Sequence, residues 1–273
     1  MTTLFDDVGI TIGTLAADPL AIMTNLPSIL DAVAASGTTT MTMYTFIAQM
    51  NGYDTVAAQL SNAGLRAGAL EAALAWSKGP GDAVKAEAEQ IVLASQALGA
   101  DRVLTVVLEP EWDFSAAAEG LGQLCQLISG AGVKASIEFL PWTAMPTIAS
   151  AYELVTACGE ANAELLFDTW HWVRQPGGPD FETLRAFGGD RIGYVQLCDA
   201  LPTAGPDVER EAMTERQLPG NGIVDFAGIF RELEALGAQP FVASEVLNAE
   251  LLAQGADVLA ARTHDACEAL KAL

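Results

Sequence analysis

Apolar residues occur along this chain in short runs, separated by longer segments in which they recur every three to four positions. The short runs have the length and β-branched content of buried strands, and the longer segments have the period of helices packed on one face. Residues 8–15 (VGITIGTL) read as a first strand, after which Asp18 caps a helix to about residue 35 that Gly37 closes. Residues 38–46 (TTTMTMYTF) form a second strand, and 53–63 its helix, with Gly64 at the C-terminal cap. The third strand is placed at 65–76 (LRAGALEAALAW) by its position, although its alanines would suit a helix. A Gly/Pro loop over 77–81 leads into a helix over 82–98. The fourth strand, 102–110 (RVLTVVLEP), is the clearest by β-branched content. A helix over 116–128, a strand over 133–139, a helix over 147–158, a sixth strand around Phe167 and a short helix over 181–187 follow. Residues 192–198 (IGYVQLC) make the seventh strand, followed by a long polar loop to Gly222 and a helix over 225–236. Residues 241–247 (FVASEVL) make the eighth strand, and a final helix runs to residue 273.

Eight strands, each followed by a helix at intervals of ~30 residues, predict a parallel α/β architecture, a single (β/α)8 TIM barrel over residues 1–273. An open doubly wound sheet would want a glycine fingerprint after the first strand, and Gly9 and Gly13 do not make one. No Ser/Pro-rich linker divides the chain.

The apolar fraction of 51% is ample for one large core. No apolar run reaches the ~18 residues of a membrane span, and the N-terminus lacks the basic stretch of a signal peptide. The four cysteines lie far apart with no CxxC pair, as expected of reduced, mostly buried thiols. These features predict a cytoplasmic protein without a membrane partner. Thirteen basic against 35 acidic residues give a net charge of −22, a field that repels nucleic acid.

Candidate chemistry sits at the strand ends. Glu138 (SIEFLPW), Asp168 (LLFDTWHW), Gln196 (YVQLCDA) and Glu245 (VASEV) would all point to one mouth of a parallel barrel. Three carboxylates and an amide oxygen are hard donors suited to Mg²⁺, Mn²⁺ or Co²⁺, with Zn²⁺ a further candidate. Carboxylates facing one another raise each other's pKa, and a divalent cation relieves that repulsion. His171 and Arg174 follow Asp168 closely, and Arg210 and Arg216 lie in the loop after the seventh strand. With Lys78, four of thirteen basic residues are expected on the mouth, which suggests an anionic substrate group or an enediolate to stabilise. Arg210 could instead pair with Glu209, Glu211 or Glu215. Tyr44, Trp76, Trp142, Trp170 and Trp172 could wall a pocket, or pack the loops onto the barrel.

These residues resemble the xylose-isomerase-like superfamily of sugar phosphate isomerases and epimerases, which also holds inosose and 3-dehydroshikimate dehydratases and endonuclease IV-type repair enzymes. The resemblance covers nearly the whole chain and is most specific through EFLPWT, FDTWHW, VQLCDA and the ERQLPGNG loop at 215–222. It implies that Glu138, Asp168, Gln196 and Glu245 hold one divalent metal and that His171 bonds a substrate oxygen beside it. The third ligand is usually His, so Gln196 is a departure, a harder and weaker donor with less affinity for soft metals. The implied activity is isomerisation or epimerisation of a small polyhydroxy carbonyl compound through an enediolate. Glu138 and Glu245 would then move the proton, while His171 and Arg174 hold substrate oxygens. Arg216, Arg210, Trp142 and Tyr44 complete the expected substrate wall. Two alternatives remain: a dehydratase of a 3-dehydroshikimate type of keto acid, and a binding barrel without turnover. A repair nuclease would need more than two histidines and a basic face. The expected partner is a small carbohydrate or keto acid, and the chain could be a monomer or a homo-oligomer.

Overall fold

The structure, a computed structural model, describes residues 7–273. Eight strands close into one barrel in sequence order: β1 (Gly9–Ile10), β2 (Thr40–Tyr44), β3 (Arg66–Ala73), β4 (Arg102–Val106), β5 (Lys134–Glu138), β6 (Ala163–Asp168), β7 (Ile192–Leu197) and β8 (Phe241–Ser244). Every neighbouring pair is parallel, including the closing pair β1–β8. The intervening segments carry helices whose apolar faces pack on the outside of the strands. The protein is a single (β/α)8 TIM barrel, and none of the described helices is long and apolar enough to cross a membrane.

Strands buried on both faces read as continuous apolar runs, and that is why they stood out in the sequence. The inward positions interdigitate as a small core of Ala69, Leu104, Val106, Leu166, Tyr194 and Ala243. Directly above this plug the inward-facing residues become polar. Register then fixes the neighbours: Asp168 lies opposite Gln196, and Glu138 opposite Leu166.

Four local readings change. The first strand is only two residues long, because the chain turns at Ile12–Leu15, where the Ile12 N–H donates to the Thr42 hydroxyl and the Thr11 and Thr14 hydroxyls bond each other. The alanine-rich third strand does form, since pairing with β2 and β4 outweighs local helix propensity. It stops at Ala73, before a turn at Ala75–Lys78. The second strand gives way after Tyr44 to a helix at Thr45–Asn51, and the long polar loop contains the helix Val208–Thr214.

Candidate active site

β6 delivers Asp168 and turns at once into the helix Thr169–Arg174. The Asp168 side chain caps that helix, accepting from the N–H groups of Trp170 and His171 at 2.7 and 2.9 Å. The cap sets His171 one turn above the strand, fully buried, with Nε2 3.3 Å from Glu138 Oε1. The other ring nitrogen, Nδ1, has no hydrogen-bond partner among the described residues. Trp142 tilts against the imidazole at 5.5 Å and meets the edge of Trp170 at 6.4 Å.

Gln196 is the centre of the cluster. One end of its amide lies 3.0 Å from Glu138 Oε1 and 3.3 Å from Asp168 Oδ2, and the other lies 3.3 Å from both Glu245 Oε1 and the Tyr194 hydroxyl. One buried amide therefore touches all three strand-end carboxyl groups. With its NH2 toward Glu245 and Tyr194, its oxygen faces two carboxylate oxygens with no proton between them; turned round, it donates to both. The first arrangement turns hard oxygen donors toward one another, a donor set that fits a divalent cation. Glu138, Asp168 and His171 by themselves also bring potential ligand atoms within 4.8 Å of one another.

Arg216 supplies the local cation. Its Nη1 donates to Asp168 Oδ2 at 2.8 Å and to Glu245 Oε2 at 3.0 Å, and its Nη2 lies 3.3 Å from His171 Nε2. The guanidinium rests over Trp170, 5.7 Å from the ring centre, and only 2% of the residue is exposed. The loop carrying it is pinned by Asp199, whose carboxylate accepts from the N–H groups of Ala200, Gly220, Gly222 and Val224. Asn248 holds it from the other side by donating to the Arg216 carbonyl.

Burial dominates the electrostatics. It lifts Glu138 to about 8, with Asp168 adding to the rise and Arg216 easing it. It lifts Glu245 to about 7, eased by Arg216 and raised again by Glu138 and Asp168. Burial would lift Asp168 too, but Arg216, His171 and the two capping N–H groups hold it below its usual value. Burial pushes His171 down to about 4, so the ring is neutral at neutral pH. A neutral ring can accept from Arg216 at Nε2 or donate there to Glu138, but it cannot do both.

A raised carboxyl keeps its proton in the folded state, so its contribution is full below pH 4.5 and is lost as pH climbs toward 7–8. The His171 contribution runs the other way, being present above pH 6.5 and lost as pH falls toward 4. Between pH 6.5 and 8 the carboxyl groups decide, and metal-free protein is expected to lose stability as pH rises. Saturating Mn²⁺ should flatten that slope. Urea midpoints at both pH values, with and without Mn²⁺, check this; a flat metal-free profile would show that the carboxyl groups do not oppose one another.

The structure thus gathers Glu138, Asp168, His171, Gln196, Arg216 and Glu245, with Trp142 alongside. Tyr44 and Glu245 line an adjoining cavity of about 580 Å³ with Gly13, Thr14, Met213 and Leu247. A hollow of about 650 Å³ on the outside, beside Cys158 and Gln126, contains none of these residues. Two expected substrate residues do not join the cluster. The Arg174 side chain is buried but tied to Glu211 Oε1 at 2.6 Å and to the Leu201 carbonyl at 2.7 Å, so it braces the loop after β7. Arg210 is 71% exposed and faces Glu215 at 3.5 Å, and Lys78 faces Glu109 at 3.3 Å. The four basic residues expected to greet an anion are therefore each paired with an acid of this chain. Trp76, Trp170 and Trp172 are wholly buried packing residues rather than pocket walls.

One residue of the mouth was missed. Glu71, on β3, shares its inward face with Ala69, is 3% exposed, and has Oε1 without a partner among the described residues. Burial raises it to about 8, with Glu245 and Glu138 adding to the rise and a bond to Thr42 easing it. The signal was a lone Glu at inward parity in RAGALEAALAW, obscured by the run of alanines.

The barrel mouth thus collects carboxyl groups from β5, β6 and the end of β8 around a β7 amide. Residues 30–262 match the family model described as xylose isomerase-like TIM barrel, so the chain belongs to that family. Among curated proteins it is 30% identical over 157 residues to 3-dehydroshikimate dehydratase of Pseudomonas aeruginosa, which covers 56% of this chain and 24% of that protein. It is 27% identical over 135 residues to inosose isomerase of Bacillus velezensis, covering 49% of this chain and 46% of that one. The match thus spans about a quarter of the first relative and just under half of the second. Among solved structures, the IolI protein with a bound zinc atom superposes with a TM-score of 0.83 over 97% of this chain and 98% of that one, at 18% identity, a likeness of fold.

Proposed function

We propose that the protein is a divalent-metal-dependent isomerase or epimerase that moves a proton next to the carbonyl of a small polyhydroxy compound. The observation carrying this reading is the Gln196 amide in contact with all three carboxyl groups, Glu138, Asp168 and Glu245, in a buried barrel mouth. A bound metal would polarise the carbonyl and stabilise the enediolate. Glu138, Asp168, Gln196 and Glu245 are the residues that would hold it. Glu138, at the end of β5, and Glu245, just past β8, reach Gln196 from opposite ends of its amide, so one can take the proton and the other return it. His171 and Arg216 lie close enough to share the developing negative charge, and the buried Trp170 and half-buried Trp142 exclude water from it. The zinc in the IolI structure and the inosose isomerase relative support the reading.

A second reading, dehydration through the same enolate, is favoured by the 30% identity to a 3-dehydroshikimate dehydratase. Protein loaded with Mn²⁺, Mg²⁺ or Co²⁺ is offered inosose, keto-sugars and 3-dehydroshikimate in D2O. Deuterium uptake without loss of water supports the isomerase, and new ultraviolet absorbance supports the dehydratase. Neither with any of the three metals overturns both. Gln196→His should tighten Zn²⁺ or Co²⁺ relative to Mg²⁺, because imidazole is the softer donor. Unchanged relative affinities by calorimetry would put Gln196 outside the ligand set.

A further inference from the structure

We infer that Glu71 is a specificity-determining residue of this mouth, one that hydrogen-bonds a hydroxyl of a neutral polyhydroxy substrate and turns away carboxylates and phosphates. This rests on the enolising reading above and deepens it by naming the substrate class.

Four observations carry it. Glu71 comes from β3, outside the β5–β8 strands that carry Glu138, Asp168, Gln196 and Glu245, although it is near enough to feel the charge of Glu245 and Glu138. It is 3% exposed and Oε1 has no partner among the described residues, whereas such an atom buried in a finished core would be bonded. Its hydrogen-bonding neighbour is the Thr42 hydroxyl, which already accepts from the Ile12 N–H. No Lys or Arg pairs with Glu71 among the described residues, and the basic groups nearest the mouth are engaged elsewhere, Arg174 with Glu211 and Arg216 with Asp168 and Glu245.

An anionic substituent entering this wall would be buried opposite an acid with no cation to meet it, which is costly whichever proton state Glu71 holds. A hydroxyl suits it, since a hydroxyl can donate to a carboxylate or accept from a carboxylic acid. Tyr44, which lines the adjoining cavity with Glu245, offers a further neutral hydroxyl contact. The geometry therefore points to a ring or chain bearing several hydroxyls and no charge on the β3 side.

The test compares two unreactive six-membered rings, myo-inositol and shikimate, titrated calorimetrically into Mn²⁺-loaded protein. The full chain should bind myo-inositol at least about tenfold more tightly than shikimate, the penalty expected for a like-charge or unpaired-charge contact. Glu71→Gln should hold myo-inositol within a few-fold and gain about tenfold for shikimate, while Glu71→Ala should lose about tenfold for myo-inositol. Far-ultraviolet circular dichroism and melting show that each variant is folded. If the variants do not fold, the preference of the parent chain still decides. Equal or tighter binding of shikimate by the parent, binding of neither ring, or an unchanged preference in folded Glu71→Gln overturns the inference. The enolising function fails separately, through absent metal binding or absent deuterium exchange. Exchange into a carboxylate-bearing ketone but not into inosose would keep the function and sink the role of Glu71.

Discussion

Arg216→Ala is expected to destabilise the metal-free protein by about 3–5 kcal/mol, the usual cost of removing one partner from a buried ion pair. The side chain is almost fully buried and is the direct partner of both Asp168 and Glu245. Its removal strands those two acids beside Glu138, with only the neutral His171 nearby, and empties the space above Trp170. It also frees the Ala212 carbonyl that Nε satisfies, and so loosens the end of the helix Val208–Thr214. Saturating Mn²⁺ should restore much of the loss, because a cation among the same carboxylates supplies the missing charge and binding to the folded state stabilises it. Urea unfolding with and without Mn²⁺ measures both terms. A loss below about 1 kcal/mol, in the range of an exposed pair, would show that Arg216 is not the counter-ion of this cluster. A full loss that Mn²⁺ does not relieve would place the cation elsewhere.

What the sequence disclosed and what it hid follow from the range of the interactions involved. Glu138, Asp168, Gln196 and Glu245 were legible because each interrupts an apolar run at the point where a buried strand must end. Parallel topology then sends all such ends to one mouth. Arg216 was placed near the site through the ERQLPGNG loop, but its binding to Asp168 and Glu245 depends on Asp199 and Asn248 anchoring that loop, contacts of 20 or more residues' separation. Arg174 was misjudged for a similar reason. Its partner Glu211 belongs to a short helix hidden in an acid-rich stretch, and nothing in that stretch distinguishes a buried Glu from its exposed neighbours. The anionic-substrate expectation rested in part on that charge, which Glu211 engages. Glu71 was invisible because a strand built largely of alanine shows no contrast between its two faces, and only pairing with β2 and β4 reveals which way the carboxyl points.

His171→Ala is expected to cut turnover on the true substrate by about 10²–10⁴-fold, the range for a positioned group that handles protons or charge in the transition state. The ring is held by the Asp168 cap and by Trp142 and Trp170, so it is preorganised, and burial keeps it neutral. A neutral imidazole can donate a hydrogen bond to an oxygen that gains charge as the enediolate forms, and Nδ1, which has no partner among the described residues, shows that the ring has spare capacity. A group that acts mainly in the transition state lowers kcat and kcat/KM together, whereas one that only binds substrate raises KM alone. Metal content decides the remaining question, because His171 lies within 4.8 Å of ligand atoms on Glu138 and Asp168. If the variant keeps its Mn²⁺ and loses turnover, His171 acts on the substrate. If Mn²⁺ is lost in step with activity, the imidazole is itself a ligand and Gln196 has the lesser part. Turnover within a few-fold of the parent, with metal retained, would leave His171 as a packing residue between Phe139 and Trp142 and would remove it from the mechanism.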